Sequence, residues 1–226
     1  MKNVLITGIS RGIGKALAQA FLEKGFFVIG TSKTGSVDFA HENLSVVPLD
    51  LSSVESIDAC AKSIQALNKN IDILINNAGV MLDEEETTLI PEKLRATLEV
   101  NLIGTAAFTE KILSDMASDG HIIFISSRAG SLDCTGHLLD HYPLHYPAYK
   151  ISKAALNMYM RTLAIRLQKG GSGLIVSSVH PGWVKTDIGG EEADITPEEA
   201  AKNISEFAVT SPESGFFWFN GEKLPW

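Results

Sequence analysis

The chain has 226 residues, a hydrophobic content of 45% and a formal net charge of -8. This length and composition suffice for the core of one large α/β domain, and we predict a single domain over residues 1–226. The negative charge would repel polyanions, so it argues against nucleic acid or an anionic membrane surface as a partner.

The cysteines and the N-terminal residues indicate the compartment. Cys60 and Cys134 neither form a disulfide framework nor show metal-ligand spacing, so we predict two reduced thiols and no metal site. The sequence reaches Gly8 too soon for the apolar region of a signal peptide, and no later run is long enough to cross a bilayer. We therefore expect a cytoplasmic protein.

Short apolar, β-branched runs alternate with amphipathic stretches along almost the whole chain, which is the pattern of repeated β-α-β units. Strands are predicted at Val4–Thr7, Phe26–Thr31, Ser45–Pro48, Ile71–Asn76, His121–Ser126, Leu174–His180 and Phe216–Phe219. Helices are predicted at Gly12–Lys24, Ser53–Ala66, Pro91–Lys111, Tyr149–Lys169 and Thr196–Phe207. The predicted fold class is α/β: a Rossmann-type, doubly wound, about seven-stranded parallel sheet with helices on both faces.

Two helices have clear start signals. Ser52-Ser53 precedes Glu55, and Thr196-Pro197 precedes two glutamates. The long connection Gly130–Tyr146 shows no regular pattern, and connections of that length tend to be functional or mobile.

A glycine-rich segment follows the first predicted strand. It reads Thr7-Gly8-Ile9-Ser10-Arg11-Gly12-Ile13-Gly14. Glycine lets the chain turn sharply, brings backbone N–H groups close to a pyrophosphate and aims the N-terminus of the following helix at the anion. On its own, the segment could equally be a tight β-α turn without a ligand.

The Gly-x-x-x-Gly-x-Gly turn resembles the cofactor loop of the short-chain dehydrogenase/reductase family, and further segments follow in the order of that family. They are Asp50-Leu51, Asn76-Asn77-Ala78-Gly79, Asn101-Leu102-Ile103-Gly104, Ser126-Ser127, Tyr149-Lys150-Ile151-Ser152-Lys153 and Pro181-Gly182-Trp183-Val184-Lys185-Thr186. The ending from Phe216 to Trp226 further resembles the C-factor-like and sniffer-like carbonyl reductases.

This resemblance implies an oxidoreductase that transfers a hydride between a nicotinamide cofactor and a small carbonyl or alcohol substrate. It also implies a homodimer or homotetramer joined through the helix that carries Tyr149. The cofactor site implied by the resemblance consists of Gly8, Ser10, Arg11, Gly12, Ile13, Gly14, Lys33, Asp50, Leu51, Asn77, Ala78, Gly79, Tyr149, Lys153, Pro181, Gly182, Val184 and Thr186. The alternative function is a catalytically idle NAD(P)-binding sensor or signalling protein of the same fold.

Carbonyl reduction also needs a proton donor near the substrate oxygen. Tyr149 and Lys153 are four residues apart and share one helix face, so the ammonium can favour the phenolate and lower a tyrosine pKa that is ordinarily about 10. The resemblance implies that Lys153 also holds the nicotinamide ribose. It implies further that Ser127 hydrogen-bonds to the substrate oxygen and that Asn101 supports a water in a proton relay.

Tyr146 is a rival for the catalytic tyrosine because Lys150 lies four residues after it. Pro147 disfavours helical geometry in the residue before it and fits the first turn of a helix, so Tyr146 should lie just outside the helix. We therefore favour Tyr149. Ser127 is preferred to Ser126 by analogy, since the catalytic serine of the family is the second of the pair.

The end of the second strand bears on the choice of cofactor. NAD-specific dinucleotide folds usually have an acidic residue there, whereas NADP-specific folds offer positive charge to the 2′-phosphate. Here the strand is followed by Lys33 without a carboxylate, and Thr31 and Ser32 are small hydroxyl donors. Arg11 in the glycine turn is a second cation. Although either cation could be an ordinary surface charge, together they favour NADP(H), with NAD(H) as the alternative.

The substrate region is the least defined part of the sequence. The interval between Ser127 and Tyr149 is longer than is usual in the family, and we hypothesise that the segment Gly130–Tyr146 lines the substrate pocket. We assign no role to the polar residues within it, which are His137, His141, Tyr142 and His145. His180 is interpreted as a structural residue at a strand end. In relatives, a substrate lid follows the position of Gly182. Here few residues separate Gly182 from Thr196, and this short lid suggests an open pocket.

Overall fold

The computed structural model describes residues 1–137 and 145–226, and its strands form one eight-stranded sheet. The strands are β1 (Asn3–Ile6), β2 (Phe27–Ser32), β3 (Leu44–Pro48), β4 (Ile71–Asn76), β5 (Met116–Ile125), β6 (Ile175–Val179), β7 (Phe216–Phe219) and β8 (Glu222–Lys223). Their order is β3-β2-β1-β4-β5-β6-β7-β8, with β1 to β7 parallel and β8 antiparallel to β7. The strand order reverses between β1 and β4, as in a doubly wound fold.

Seven α-helices are present in the described residues. They are α1 (Gly12–Glu23), α2 (Val54–Gln65), α3 (Pro91–Leu98), α4 (Thr105–Ile112), α5 (Leu132–His137), α6 (Pro147–Lys169) and α7 (Pro197–Ala208). Side chains of α1 and α7 pack on one face of the sheet, and side chains of α2, α4 and α6 pack on the other. This arrangement confirms the predicted Rossmann-type α/β fold.

The core therefore has two layers, one on each face of the sheet. Val4 and Ile6 of β1 belong to the layer that contains Phe21 of α1, whereas Leu5 belongs to the layer that contains Met160 of α6. Successive residues of a strand point to opposite faces, so a strand between two helical layers is apolar along most of its length.

Helix boundaries confirm the predicted start signals. Thr196 Oγ1 accepts the Glu199 N–H at 3.2 Å, and Glu199 Oε2 accepts the Thr196 N–H at 2.8 Å, which is a capping box. Ser53 Oγ likewise accepts the Ser56 N–H at 3.2 Å and caps α2.

Several predicted elements have different bounds in the structure. β5 begins at Met116 rather than His121, because its first residues include the exposed Ser118 and Asp119, which hide the strand signal. α6 begins at Pro147, two residues before the predicted start. β8 was not predicted, although the Asn220-Gly221 pair before it, with φ values of 48° and 81°, is a common hairpin turn.

Two predictions about connections are corrected. The predicted helix Pro91–Lys111 is divided by a π-helical segment, Glu99–Gly104. Gly104, the last residue of this segment, packs so closely on the Leu51 carbonyl oxygen that a Cβ would overlap it. The stretch Gly130–Tyr146 is not wholly irregular, since it contains α5, and Ser131 Oγ accepts the Cys134 N–H at 3.0 Å at its start. Residues 138–144 of that stretch, with His141 and Tyr142, lie outside the described residues.

Cys60 is buried and Cys134 is partly exposed, and both are free thiols. Burial raises the pKa of the Cys60 thiol to about 12. In the described ranges, no group of three or more His, Cys, Asp or Glu residues is arranged to hold a metal ion. None of the helices described has the length and apolar character needed to span a membrane.

We expect the stability of the protein to fall in mild acid because of His121. The ring is buried between Ser177 Oγ and the Ala208 carbonyl oxygen, and this burial lowers the His121 pKa from 6.5 to about 4. Below pH 6.5, the unfolded chain binds a proton at His121, whereas the folded chain does not until about pH 4. His121 should therefore lower the free energy of unfolding by roughly 2 kcal/mol as the pH falls from 6.5 to about 5. Urea unfolding of the unmodified protein and of His121→Gln across this pH range measures the effect. Parallel curves for the two proteins would refute it.

Candidate active site

The candidate site residues lie at the carboxyl ends of the parallel strands, at the reversal of strand order and along the strands that follow it. The glycine turn follows β1, Asn77 to Gly79 follow β4, Ser127 follows β5 and Pro181 follows β6. Crevices at this edge of a doubly wound sheet are the usual place for ligands.

The glycine turn has the backbone that close approach to an anion requires. Gly8 and Gly12 have φ values of 74° and 54°, which favour glycine, and a Cβ at Gly14 would overlap the Gly8 carbonyl oxygen. Arg11 is the N-cap residue of α1 and makes no side-chain capping bond to the helix. Ser10 is exposed and Ile13 is half-buried in the first turn of α1. The turn therefore fits a dinucleotide pyrophosphate at the helix N-terminus.

The strand ends on either side of the reversal are tied together. Thr7 Oγ1 accepts the N–H groups of Asn77 and Ala78, each at 3.0 Å, and Asn77 Nδ2 donates to the Thr7 carbonyl oxygen at 2.9 Å. Gly79 lies beside two candidate catalytic residues, since a Cβ there would be 3.2 Å from Asn101 Oδ1 and 3.6 Å from Lys153 Nζ. These contacts bring the glycine turn and the candidate catalytic residues to one place.

Lys153 is buried at the centre of the site, with 5% of its surface exposed. Its Nζ donates to the Ile125 carbonyl oxygen at 2.8 Å, at the end of β5, and lies 5.5 Å from the centre of the Tyr149 ring. Burial lowers the pKa of the Lys153 ammonium to about 8. At neutral pH the group therefore remains mostly charged and is close enough to favour the Tyr149 phenolate.

The rival pair is also formed, since Lys150 Nζ lies 4.9 Å from the centre of the Tyr146 ring. Tyr146 is outside α6, as predicted, and has a left-handed backbone with φ 51°. What separates the pairs is their surroundings: Lys153 reaches the strand end that leads to Ser127, whereas Lys150 lines a cavity beside α5. This geometry favours the Tyr149 pair.

Ser127 begins a short 3₁₀ turn, Arg128–Gly130, whose Ala129 N–H donates to Ser127 Oγ at 3.1 Å. That bond uses a lone pair of the hydroxyl oxygen and leaves its O–H as a donor for a substrate oxygen. Ser127 is half-buried, whereas Ser126 is 2% exposed. Gly130 presses on the backbone of Lys153 and Ala154, where a Cβ would come within 2.6 Å, so the turn packs directly on α6.

Asn101 lies in the π-helical segment and is 1% exposed. Its Oδ1 accepts the Val80 N–H at 2.8 Å, and its Nδ2 donates to the Val80 carbonyl oxygen at 2.8 Å and to Ser152 Oγ at 3.0 Å. Both side-chain N–H donors are thus in use. Any support for a relay water falls to the remaining acceptor capacity of Asn101.

The two candidate cations for a 2′-phosphate are each paired with a carboxylate. Arg11 is 3.0 Å from Asp187, and Lys33 is 2.8 Å from Asp50. The end of β2 has no carboxylate of its own, but Asp50 after the neighbouring strand β3 places one next to Lys33. The Lys33 ammonium and hydrogen bonds from Ser52 lower the pKa of Asp50 to about 2. The Arg11 and Lys33 side chains are 79% and 76% exposed. N–H donors of both side chains that do not face these carboxylates therefore lie in solvent.

The predicted hydroxyl donors have internal partners. Ser32 Oγ bonds to the backbone of Ser36, accepting its N–H at 3.0 Å and donating to its carbonyl oxygen at 2.9 Å. Thr31 Oγ1 accepts the Gly8 N–H at 3.3 Å, and its side chain is buried. Thr31 thus contacts the glycine turn, and Ser32 contacts the chain just after β2. Leu51, next to Asp50, is buried under Gly104.

The segment after β6 closes against the glycine turn. Pro181 is half-buried and Gly182 has φ 94°, and Thr186 packs on Gly12, where a Cβ would be 3.3 Å from Thr186 Cγ2. The buried Val184 forms a parallel bridge with Ile195, which holds the short lid in place. The lid is thus a structured loop that borders the predicted cofactor site.

The described part of Gly130–Tyr146 borders a cavity of about 380 Å³. Its lining residues are Ala129, Gly130, Ser131, Leu132, Thr135, Lys150, Ile151 and Ala154. None of Ser127, Tyr149 and Lys153 lines it, so this cavity lies beside the candidate catalytic group. His180 is 7% exposed, and burial followed by repulsion from Arg128 lowers its pKa to about 3, which agrees with a structural role.

Three residues of the site were not found from the sequence. Gly130 allows the Ser127 turn to contact α6, and Ser152 Oγ links Asn101 to the Tyr149 carbonyl oxygen, to which it donates at 2.7 Å. Asp83 contacts the start of α6 from the β4–α3 connection. Small residues near the motifs were the only signal for the first two, and nothing in the sequence singled out Asp83.

Comparisons with known proteins agree with this geometry. A family model described as short chain dehydrogenase matches residues 2–197. The 1-hydroxy-2-glutathionyl-2-methyl-3-butene dehydrogenase of Rhodococcus sp. (strain AD45) is 30% identical to this chain over 236 aligned positions. The alignment covers 100% of both chains. The structure of NADPH-bound carbonyl reductase from chicken fatty liver has a TM-score of 0.88 and 28% identity, with coverage of 100% of this chain and 99% of that chain. Carbonyl reductase Sniffer of D. melanogaster has a TM-score of 0.85 and 25% identity, with both chains covered to 100%.

Proposed function

Because this chain belongs to the short-chain dehydrogenase family, we propose that it transfers a hydride between NADP(H) and a carbonyl or alcohol substrate, with Tyr149 as the general acid or base. Members of this family are oxidoreductases that act on alcohol and carbonyl groups with a nicotinamide cofactor, and this chain is one of them. The observation that carries the proposal is the buried Lys153 ammonium held between Tyr149 and the strand end before Ser127.

The residues at the sheet edge fit a nicotinamide dinucleotide. The positive φ values of Gly8 and Gly12 and the close approach at Gly14 leave room for a pyrophosphate at the start of α1. Asn77 to Gly79 and the segment from Pro181 to Thr186 would border the nucleoside parts on either side, in line with the resemblance.

Each candidate catalytic residue has a task that its geometry allows. When bound, the nicotinamide supplies the hydride. Tyr149 donates a proton to the carbonyl oxygen in reduction and removes it in oxidation, and Lys153 lowers the cost of the phenolate state. The free O–H of Ser127 orients the substrate oxygen. Asn101 fixes α6 to the β4–α3 connection through Ser152 and Val80 and supports the relay water.

The preference for NADP(H) over NAD(H) rests on Arg11 and Lys33. Both side chains are largely exposed next to the glycine turn, and each retains N–H donors beyond those that face Asp187 and Asp50. The chicken carbonyl reductase, which was solved with NADPH, supports the same preference.

The direct test is turnover. Purified protein is mixed with NADPH or NADH and a panel of aldehydes, ketones and quinones, and the loss of reduced cofactor is followed by absorbance. Turnover that depends on a carbonyl compound supports the proposal. A protein that binds the cofactor but turns over none of these compounds would instead be the idle sensor of the alternative prediction.

Lys33→Asp should narrow or reverse the cofactor preference. The substitution removes a cation and places a carboxylate at the end of β2, where it repels a 2′-phosphate and suits ribose hydroxyl groups. Since a hydrogen bond to a charged group contributes about 1.5 to 3 kcal/mol, the ratio of NADH to NADPH dissociation constants should fall by about tenfold or more. Fluorescence titration of both cofactors measures the ratio. Equal affinity for both cofactors in the unmodified protein would contradict the assignment.

We further propose that α6 joins the subunits of a homodimer or homotetramer, as the resemblance implies. Ile151, Met158 and Ile165 recur at intervals of seven along α6 and are 42%, 68% and 43% exposed. This spacing places the three apolar side chains on one side of the helix.

We propose a small or medium carbonyl compound as the substrate, because the lid is short.

A further inference from the structure

The connection from β4 to α3 contains four consecutive acids, Asp83 to Glu86, of which one is buried. Glu84 and Glu85 are exposed, whereas Asp83 is 1% exposed. Burying a carboxylate costs free energy unless strong hydrogen bonds or charges compensate it. The placement of Asp83 therefore calls for a partner.

That partner is the start of α6. Asp83 Oδ2 accepts the Ala148 N–H at 2.6 Å, a bond that spans 65 positions of the chain. The Lys150 ammonium is also near Asp83. Burial lowers the Lys150 pKa, and attraction to the Asp83 carboxylate opposes this lowering. The positive end of the helix dipole favours a carboxylate at this place as well.

α6 needs such an acceptor because its own N-cap residue does not provide one. Tyr146 makes no side-chain capping bond, and Pro147 has no N–H, so the Ala148 N–H is the first amide of the helix proper. The turn that begins at Asp83 supplies a second contact, because the Glu86 carbonyl oxygen accepts the Tyr146 N–H at 2.9 Å. Two bonds from one turn thus fix the beginning of α6.

Tyr149 is the next residue after the one that Asp83 holds. On its other side, the Tyr149 carbonyl oxygen accepts from Ser152 Oγ, which is tied through Asn101 to Val80. The connection from Val80 to Glu86 is therefore hydrogen-bonded to α6 before Tyr149 and, through Asn101 and Ser152, after it. We propose that Asp83 is a positioning residue that sets the place of the Tyr149 hydroxyl by capping the first turn of α6 from the β4–α3 connection.

This proposal rests on the proposed function, and its test compares three variants with the unmodified protein. Asp83→Ala removes the acceptor, Asp83→Asn keeps an acceptor oxygen without the charge, and Glu84→Ala removes a neighbouring exposed acid as the matched control. Because small misplacements of a catalytic group are costly, Asp83→Ala should lower kcat by about tenfold. The Kd for NADPH should change little, since Asp83 is not among the candidate cofactor residues. Asp83→Asn should recover most of kcat, and Glu84→Ala should behave as the unmodified protein.

Hydrogen exchange of the backbone amides gives a second readout that needs no activity. Asp83→Ala should speed exchange in the first turn of α6 and leave its last turns unchanged. If Asp83→Ala does not fold, Asp83→Ser takes its place, since its side chain is one bond shorter and places the hydroxyl oxygen further from the Ala148 N–H.

The outcomes separate this proposal from the proposed function. Unchanged kcat in Asp83→Ala, with or without faster exchange, would overturn the positioning role and leave the enzymatic function intact. A tenfold loss that Asp83→Asn does not recover would also overturn it. An unmodified protein without carbonyl turnover would overturn the proposed function and, with it, this role.

Discussion

Tyr149→Phe should lower kcat for carbonyl reduction by at least about 100-fold, because general acid–base assistance typically contributes 100- to 10,000-fold. The substitution removes only the hydroxyl. The ring can keep its perpendicular contact with Tyr146 at 6.2 Å and its place beside the Lys153 ammonium. Cofactor binding should persist through the glycine turn and Lys153. Steady-state kinetics on a substrate of the unmodified enzyme, together with an NADPH titration, measures both parts of the prediction.

Tyr146→Phe is the matched control because Tyr146 has the same residue type, contacts the Tyr149 ring and has its own lysine partner. It lies outside α6, and the Lys150 beside it lines the cavity next to α5, so the variant should keep nearly full turnover. The catalytic assignment is wrong if Tyr149→Phe works at the unmodified rate, or if Tyr146→Phe is the inactive variant.

The sequence predicted the layers of the fold because apolar periodicity reports local burial. β1 and β4 are apolar on both faces, and capping signals at Ser53 and Thr196 locate helix starts directly. The π-helical segment was not predictable in this way. The segment ends at Gly104, which contacts Leu51 far away in the chain, and local propensity contains no information about such contacts.

The candidate site shows the same division between local and long-range information. The spacing of Tyr149 and Lys153 on one helix face could be inferred from the sequence, as could the position of Tyr146 before Pro147. The pairing of Lys33 with Asp50 could not, because it joins the ends of two strands. The burial of Asp83 was equally hidden, since an acid among three other acids is ordinarily a solvated residue.

Lys153→Met should damage turnover and cofactor binding together, because the lysine is assigned two tasks. Without the cation the Tyr149 phenolate loses a stabilising charge, and kcat/KM should fall by at least about 100-fold. Loss of a charged donor to the ribose hydroxyls should raise the Kd for NADPH by about tenfold. Lys150→Met is the matched control, since it removes the lysine beside Tyr146. It should leave the Kd for NADPH nearly unchanged and, because its charge is near Asp83, lower kcat/KM only slightly compared with Lys153→Met.

The stability of Lys153→Met separates a lost function from a lost fold. Burial lowers the Lys153 pKa from 10.5 to about 8, so between these pH values the unfolded chain binds a proton that the folded chain has released. The unfolding free energy of the unmodified protein should therefore gain about 3 kcal/mol from Lys153 as the pH rises from about 8 to about 10.5. Lys153→Met should lack this rise and be at least as stable at neutral pH, because it no longer buries a charge. Urea unfolding across this range tests both statements. An inactive variant that is also unfolded at neutral pH would show that Lys153 is needed for the structure, and the catalytic interpretation of its lost activity would fail.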